Sequence, residues 1–419
     1  MAKLVIIGGG PSGMMAALTA SNYLYKNHQI LLIERNERLG RKILATGNGR
    51  CNFTNLNNNE SFYNEPSFAK VVLDQFNYLN TCSFFEQLGV LQFSDEEGRC
   101  YPFTHTSSTI LDALRFALDS KSNIKTLTGF KIEKVIYDNG YILVSSSGEK
   151  IKADSLIIAC GGTSSKNLGS DGSGFTLAKN LNHTITNLYP AITSIKVLDK
   201  EFASLNGIRA KATVSLYNLN NNELIVKRSG EVLFKDDSLS GIVSFIISSF
   251  IARNLNKDPS MRFYIKLDLV SNLNQEELIN FLHLKRQNNQ LVNVEFFLNG
   301  VVVRMLGIAI LKRSKIEYKE RLVKDLNDEE LERIAQMLKN FEVQVSDLSP
   351  FNNAQTTCGG ISLDEINPQT LESKLHQNLF FAGEIMDIDG ECGGHNLQWA
   401  FSSGYVSGKS ASLKINERS

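Results

Sequence analysis

Residues 3–35 read KLVIIGGGPSGMMAALTASNYLYKNHQILLIER. Lys3 to Ile7 is a continuous apolar run of strand length, and Met14 to Lys26 carries apolar residues at helical spacing. Gln29 to Ile33 is a second apolar run, and it ends in Glu34. Between the first strand and the helix stands Gly8-x-Gly10-x-x-Gly13, with Pro11 and Ser12 inside it. Strand, glycines, helix, strand and terminal acid together form the context a dinucleotide fingerprint requires. Gly8 permits the tight turn, Gly10 lets a pyrophosphate approach the helix N-terminus, and Gly13 lets helix and strand pack closely. Glu34, with Arg35 beside it, sits where a carboxylate accepts hydrogen bonds from an adenosine ribose.

Working outward, residues 40–55 read GRKILATGNGRCNFTN. An ordinary polar loop does not need so many positions free of Cβ beside a fixed cationic cluster. A large anionic or flat ligand held close to the main chain does.

The chain has 419 residues, enough for two or three domains. Forty-four basic residues balance forty-four acidic ones, so no global field recruits nucleic acid or membrane. The cysteines (Cys51, Cys82, Cys100, Cys160, Cys358, Cys392) are scattered without a CxxC pair, which suits a reducing cytoplasm. The histidines lack i, i+4 spacing, so no metal site is expected. The fingerprint lies inside the mildly apolar N-terminus, which argues against a signal peptide. The longest apolar stretch, Gly241 to Ala252, is too short to span a membrane and reads as a buried helix.

Short strands are expected over Ile124 to Leu127, Phe130 to Tyr137, Tyr141 to Ser146, Lys150 to Ala153 and Ser155 to Ala159, the last running into Cys160-Gly161-Gly162. From about Ala191 the pattern changes. Ile192 to Val197, Ala210 to Tyr217, Glu223 to Lys227 and Glu231 to Phe234 read as antiparallel strands, followed by helical runs from Asn274 to Lys339. A buried strand returns at Asn378 to Glu384, and a last helix runs from His395 to about Leu413. The α/β alternation thus places residues 1–190 and 352–419 in one discontinuous nucleotide-binding domain, interrupted by an insert at 191–351.

GGGPSG, the run 40–55, IIACGG and the block LFFAGEIMDIDGECGGHNLQWAFSSG together resemble the bacterial NAD(P)/FAD-dependent oxidoreductases of the aminoacetone-oxidase type, over nearly the whole chain. That resemblance implies a glutathione-reductase-type FAD-binding Rossmann domain carrying an inserted small β-barrel and a helical subdomain. It implies FAD as cofactor, NADH or NADPH as transient electron donor, and hydride exchange at flavin N5 with a substrate held between the FAD domain and the insert. Lys42 would meet the phosphates or ribityl, and Gly47, Asn48 and Gly49 the isoalloxazine. Arg50, Cys51 and Asn52 would point toward the ring or the substrate. Gly161, Gly162, Gly383 and Glu384 would complete the cofactor cradle. Gly393, Gly394, Asn396 and Leu397 would open the final helix toward the flavin. Family relatives act on amines, on conjugated enones of steroid-like molecules, or on uridine of ribosomal RNA. A small-molecule substrate is the first expectation here and ribosomal RNA the alternative, with a flavin-binding sensor as the rival from another class.

Cys51 is a candidate proton donor or thiol, with small-residue packing as the competing reading. His395 stands where the family block usually has tyrosine, and either fills the ring slot or moves protons. Arg99, Tyr101 and His105 are candidates for substrate contact or for a solvated turn. Residues 301–324 hold seven basic residues against two acids. On a helix, Lys312, Lys315 and Lys319 would share a face able to touch phosphates, whereas Arg313–Glu317, Glu317–Arg321 and Glu320–Lys324 pairing would make it an ordinary solvated surface.

Overall fold

The computed structural model describes residues 2–418, which divide into two compact units, 2–190 with 351–418, and 191–350. The first is built on five parallel strands: β1 (Lys3–Ile7), β2 (Gln29–Ile33), β3 (Ile124–Leu127), β4 (Ser155–Ile158) and β5 (Leu379–Phe381), in the order β5-β4-β1-β2-β3. The central strands are apolar at nearly every position because both faces are covered, as parallel sheets require. Leu4, Val5, Ile6, Leu156, Ile157 and Ile158 are fully buried, each worth roughly 1.5–3 kcal/mol of hydrophobic transfer. The chain leaves β1 toward β2 and later returns on β1's other side as β4. Their carboxyl ends therefore form a topological switch point, the place where α/β sheets bind ligands.

Helix α1 (Pro11–Tyr23) opens at that point, with Pro11 in its first turn, where a missing N–H costs nothing. Helices α2 (Ser107–Asp119) and α3 (Ser173–Asn180) follow, and α4 (His395–Asn416) lies against α1. A Cβ on Gly404 would come within 2.4 Å of Ser12 O, and one on Gly408 within 2.4 Å of Ala16 O, so these glycines let the two helices meet backbone to backbone. Two small antiparallel sheets complete the unit. One comprises Ile132–Tyr137, Tyr141–Ser145 and Lys150–Ala153; the other is Thr54–Asn55, Arg99–Pro102 and Gln92–Ser94.

The second unit contains a closed six-stranded barrel of Ile195–Val197, Ser238–Ser240, Leu224–Phe234, Arg209–Asn218, Phe263–Asp268 and Phe341–Leu348, with helices at Ile242–Lys257, Gln275–Asn288, Arg304–Arg313 and Asp328–Lys339. Three expectations are corrected here. Glu223 to Lys227 and Glu231 to Phe234 are not two strands; Leu224–Phe234 is continuous. Nor do Lys312, Lys315 and Lys319 share a helix. The helix stops at Arg313, where Lys315 takes φ 56°, its N–H donates to Lys312 O, and the N–H of buried Ile316 donates to Leu311 O. This is a Schellman ending with a lysine in the left-handed position. The expected Arg313–Glu317 and Glu317–Arg321 pairs are replaced as well. Arg313 binds Asp199 (3.1 Å) and Glu201 (2.8 Å) and lies over the Phe341 ring, while Arg321 grips Glu330 with two bonds of 2.6 and 2.7 Å.

Candidate cofactor site

Each fingerprint glycine has a distinct physical reason. Gly8 has φ 110°, and a Cβ there would lie 2.3 Å from Ala159 O. One on Gly13 would lie 1.8 Å from Gly8 O, so Gly8 and Gly13 are demanded by turn and packing. Gly10 is different. Its φ of −79° suits any residue, and a Cβ there would meet no protein atom within 4 Å. Neither conformation nor internal packing asks for glycine at Gly10; a group brought up to the helix N-terminus does. Among the described residues no side chain caps that terminus, leaving its first N–H groups for such a group.

Glu34 ends β2 and is nearly buried. Its Oε2 accepts from Gly9 N at 2.8 Å, and its Oε1 accepts from the backbone and side-chain nitrogens of Asn36 at 2.8 and 2.6 Å. Arg35 forms an ion pair with Asp171, which holds the Asp171 carboxyl below its ordinary range against the opposing effect of burial. Gly8, Glu34, Arg35, Phe130, Ile132 and Cys160 line one cleft at the carboxyl ends of β1 and β2. The cleft combines an apolar wall with an acid and a guanidinium.

A second cluster joins four distant segments. Lys42 Nζ lies 2.7 Å from Glu384 Oε2, while Glu384 Oε1 accepts from Thr357 N at 2.8 Å. Thr357 Oγ1 accepts from Thr163 N at 2.9 Å, and a Cβ on Gly162 would strike that oxygen at 2.4 Å. Gly161 precedes it with φ 71°. Gly383, at φ 81°, accepts on its carbonyl from Trp399 Nε1, donates its N–H to Ser403 Oγ, and leaves room for Ser12.

The run 40–55 meets the start of α4. Gly47 (φ 56°), Asn48 (55°), Gly49 (83°) and Cys51 (59°) are all left-handed; the two glycines adopt this freely, while Asn48 and Cys51 do so at a backbone cost. Beyond them Asn55 Nδ2 donates to Gly393 O at 2.9 Å, Thr54 Oγ1 donates to Gln398 Oε1, and a Cβ on Gly394 would lie 2.8 Å from Asn52 Oδ1. Asn396 closes the loop by exchanging bonds with Gly390 N and O, and Leu397 packs half-buried on the α1 side of the core.

The two candidate proton carriers are both buried. Cys51 is fully buried in the apolar core, and burial pushes its thiol up to about 12. His395 is buried, stacks on Phe62 with centroids 4.1 Å apart, and presents Nδ1 to the Asn58 amide at 2.7 Å. Burial pushes its pKa down to about 4, which favours the neutral ring near pH 7. Asn36, Thr357, Asn58 and Ser403 hold these candidate residues without being singled out in the sequence. Asp171 carries a local signal, standing in the glycine-rich GSDGSG before α3.

A dinucleotide fingerprint at the switch point of a five-stranded parallel sheet, continued by glycine cradles from both chain ends, is the frame of a glutathione-reductase-type flavoprotein, and the chain is an FAD-dependent oxidoreductase. It belongs to the HI0933-like family: the HI0933-like protein Rossmann domain matches residues 2–410. It is 34% identical over 413 residues to the 3-dehydro-bile acid delta(4,6)-reductase of Clostridium scindens, covering 98% of this chain and 99% of the relative. It is 26% identical to the ribosomal RNA dihydrouridine synthase of Escherichia coli, covering 96% of each. Among solved structures, a quinol-fumarate reductase determined with menaquinol molecules aligns with a TM-score of 0.50 at 15% identity, over 100% of this chain and 72% of that one. At that identity the likeness is one of fold. No helix among the described residues is long and apolar enough to cross a membrane.

Proposed function

We propose that the protein reduces a small molecule bearing a conjugated enone, with NADH or NADPH as electron donor. The observation that carries the cofactor assignment is Gly10, a glycine explained by neither φ nor internal packing. Around it, Gly8 and Gly13 shape the turn, the N-terminus of α1 would take the pyrophosphate, and Glu34 and Arg35 would hold the adenosine. Lys42 and Glu384 would hold the ribityl and phosphates, and Gly47 to Gly49 with Gly393 and Gly394 would receive the ring. FAD, when bound, supplies the two-electron chemistry.

The protein's own residues orient, exclude water and set protonation. Reduction of an enone also consumes a proton; burial disfavours the Cys51 thiolate and the His395 cation, so near neutral pH the thiol holds its proton and the ring is neutral. The enone reading is supported by the reductase relative at 34% identity across nearly the full length. RNA reduction is a second reading, supported by the dihydrouridine synthase relative. Its basic stripe, however, is not formed, and Arg313 and Arg321 are engaged within their own unit. Anaerobic incubation with NADH or NADPH and a 3-oxo-4-ene steroid is the test. A product two hydrogen atoms heavier supports the enone reading; no product, with dihydrouridine formed in a ribosomal RNA fragment, moves the assignment to RNA.

A further inference from the structure

Helix α1 carries the fingerprint at its first turn, and its last turn, Thr19 to Tyr23, lies roughly 12 to 18 Å further on, at about 1.5 Å per residue. There α1, α4 and the helix Tyr78–Gln87 border a cavity of about 300 Å³, at the lower end of the roughly 300–1,000 Å³ of small-molecule pockets. None of the residues that line it is charged. Lys409 is held over the Tyr23 and Tyr405 rings at 5.7 and 5.9 Å, and Lys121 on Asn22 Oδ1 at 3.1 Å, so these two cations stay outside the lining. The floor is fixed. Phe76 O accepts from Gln398 Nε2 and Ser402 Oγ, and Tyr405 stacks on the Phe76 ring with centroids 4.5 Å apart.

Thr19 lines this cavity and is only 4% exposed, yet its hydroxyl has no hydrogen-bond partner among the described residues. A buried helical hydroxyl ordinarily returns to a carbonyl one turn back, as Ser403 does to Trp399 O at 2.6 Å and Ser412 to Gly408 O at 2.8 Å in the facing helix. Thr19 does not. The Tyr23 and Tyr405 hydroxyls stand 2.9 Å apart, and the bond between them uses one hydrogen and leaves the other free to donate. Burial and the Tyr23 hydroxyl push the Tyr405 phenol up to about 12, so it keeps its proton. At the rim Asn80 Oδ1 accepts from Asn77 N, which leaves the Asn80 NH2 uncommitted. Gln87 Nε2 donates to Ser83 Oγ at 3.3 Å, which leaves Gln87 Oε1 uncommitted. The cavity thus offers two kinds of donor, one acceptor and a hydroxyl able to act as either, over an apolar floor and with no charge.

We propose that this cavity is a second binding site, separate from the cofactor cleft, for a neutral molecule of one or two rings that carries an amide group. An amide carbonyl answers the phenol and Asn80 donors, an amide N–H answers Gln87 Oε1, and Thr19 gains the partner it lacks. The Thr19 hydroxyl carries the assignment, because a buried polar group left without a partner is destabilising and an occupant that bonds it relieves that cost. A carboxylate of the same shape would enter without a cation in the lining to meet it, which disfavours it. The site is independent of the flavin chemistry.

The test uses the FAD-loaded protein and two probes of one shape, benzamide and benzoate, each titrated and followed by the probe's own NMR signals. Benzamide should bind about tenfold or more tighter than benzoate. Thr19→Val keeps the shape and removes the hydroxyl, so it should weaken benzamide roughly fivefold, the scale of one hydrogen bond. The same variant should melt no lower than wild type, because it removes an unsatisfied buried group. Ser83→Trp, at an exposed position of the lining, should fill the cavity and abolish benzamide binding. No binding of benzamide, equal binding of benzoate, wild-type benzamide affinity in either variant, or a Thr19→Val protein that melts below wild type would each overturn the proposal. Enone turnover is measured separately, and its absence would sink the enone reading while leaving this site to be decided by the two probes.

Discussion

Lys42 and Glu384, 342 positions apart in the chain, face each other at 2.7 Å between Nζ and Oε2. Glu384 also accepts from Thr357 N, so one carboxylate ties the glycine run to two later segments of the same unit. Lys42→Met should therefore lower FAD affinity of the apoprotein by roughly tenfold or more, the scale of one charge-assisted contact. Glu384→Gln, which keeps an acceptor for Thr357, should cost about 1 kcal/mol of stability. Titration calorimetry with FAD checks the first and urea melting the second; wild-type affinity in Lys42→Met contradicts the assigned role.

Gly10 and Gly13 should fail in different ways. Gly10→Val has space in the protein itself, so the variant should purify without flavin and melt at the temperature of the flavin-free wild type. Gly13→Ala drives a methyl against Gly8 O, so it should be destabilised by roughly 1–3 kcal/mol or more, the cost of overpacking. A Gly10→Val protein that retains FAD would remove the pyrophosphate from this helix terminus.

Two buried groups give opposing acid responses. His395 falls from 6.5 to about 4 because burial disfavours its cation. Between those values the unfolded chain takes up a proton that the fold refuses, so stability present above 6.5 is lost as pH falls toward 4. Asp387 rises from 3.8 to about 6, chiefly through burial. Its ionisation costs stability above about 6, and that cost is relieved as pH falls toward 3.8. His395→Phe should remove the first response and leave a protein that gains stability on acidification through this window. Asp387→Asn, which keeps an acceptor for Thr186, should lose more than wild type. Each effect is on the order of 3 kcal/mol. Urea melts at pH 4.5 and 7 measure both; parallel pH responses in the two variants would contradict the assignment.

In the second unit, Arg321→Ala should cost roughly 1–3 kcal/mol, because it strips a two-bond ion pair and leaves Glu330 part-buried without its cation. The same change should leave RNA affinity unaltered in a filter-binding titration. A loss of RNA binding at wild-type stability would restore a phosphate-contact role.

Much of the fold was readable because its signals are local. β1 and β2 begin and end at the residues the apolar runs select, and α1 follows from glycines, Pro11 and helical spacing. The splitting of Leu224–Phe234 misled because Gly230 imitates a turn. In the structure Gly230 lies mid-strand, where a Cβ would meet Val243 of the following helix at 3.1 Å. That reason is tertiary, as is the ending after Arg313, where buried Ile316 anchors a left-handed lysine without the customary glycine. At the site, the glycines and Glu34 could be named in advance. The partners that hold it, Asp171 for Arg35, Thr357 for Glu384 and Asn58 for His395, are set by chain segments remote in sequence.

The most direct measurement of the central claim is anaerobic stopped-flow spectroscopy of the purified, FAD-loaded protein. NADH or NADPH should bleach the visible absorbance of the oxidised flavin, and a 3-oxo-4-ene steroid added next should restore it without oxygen. A flavin that neither nicotinamide bleaches, or one that stays bleached with the enone and recolours only in air, would contradict the account.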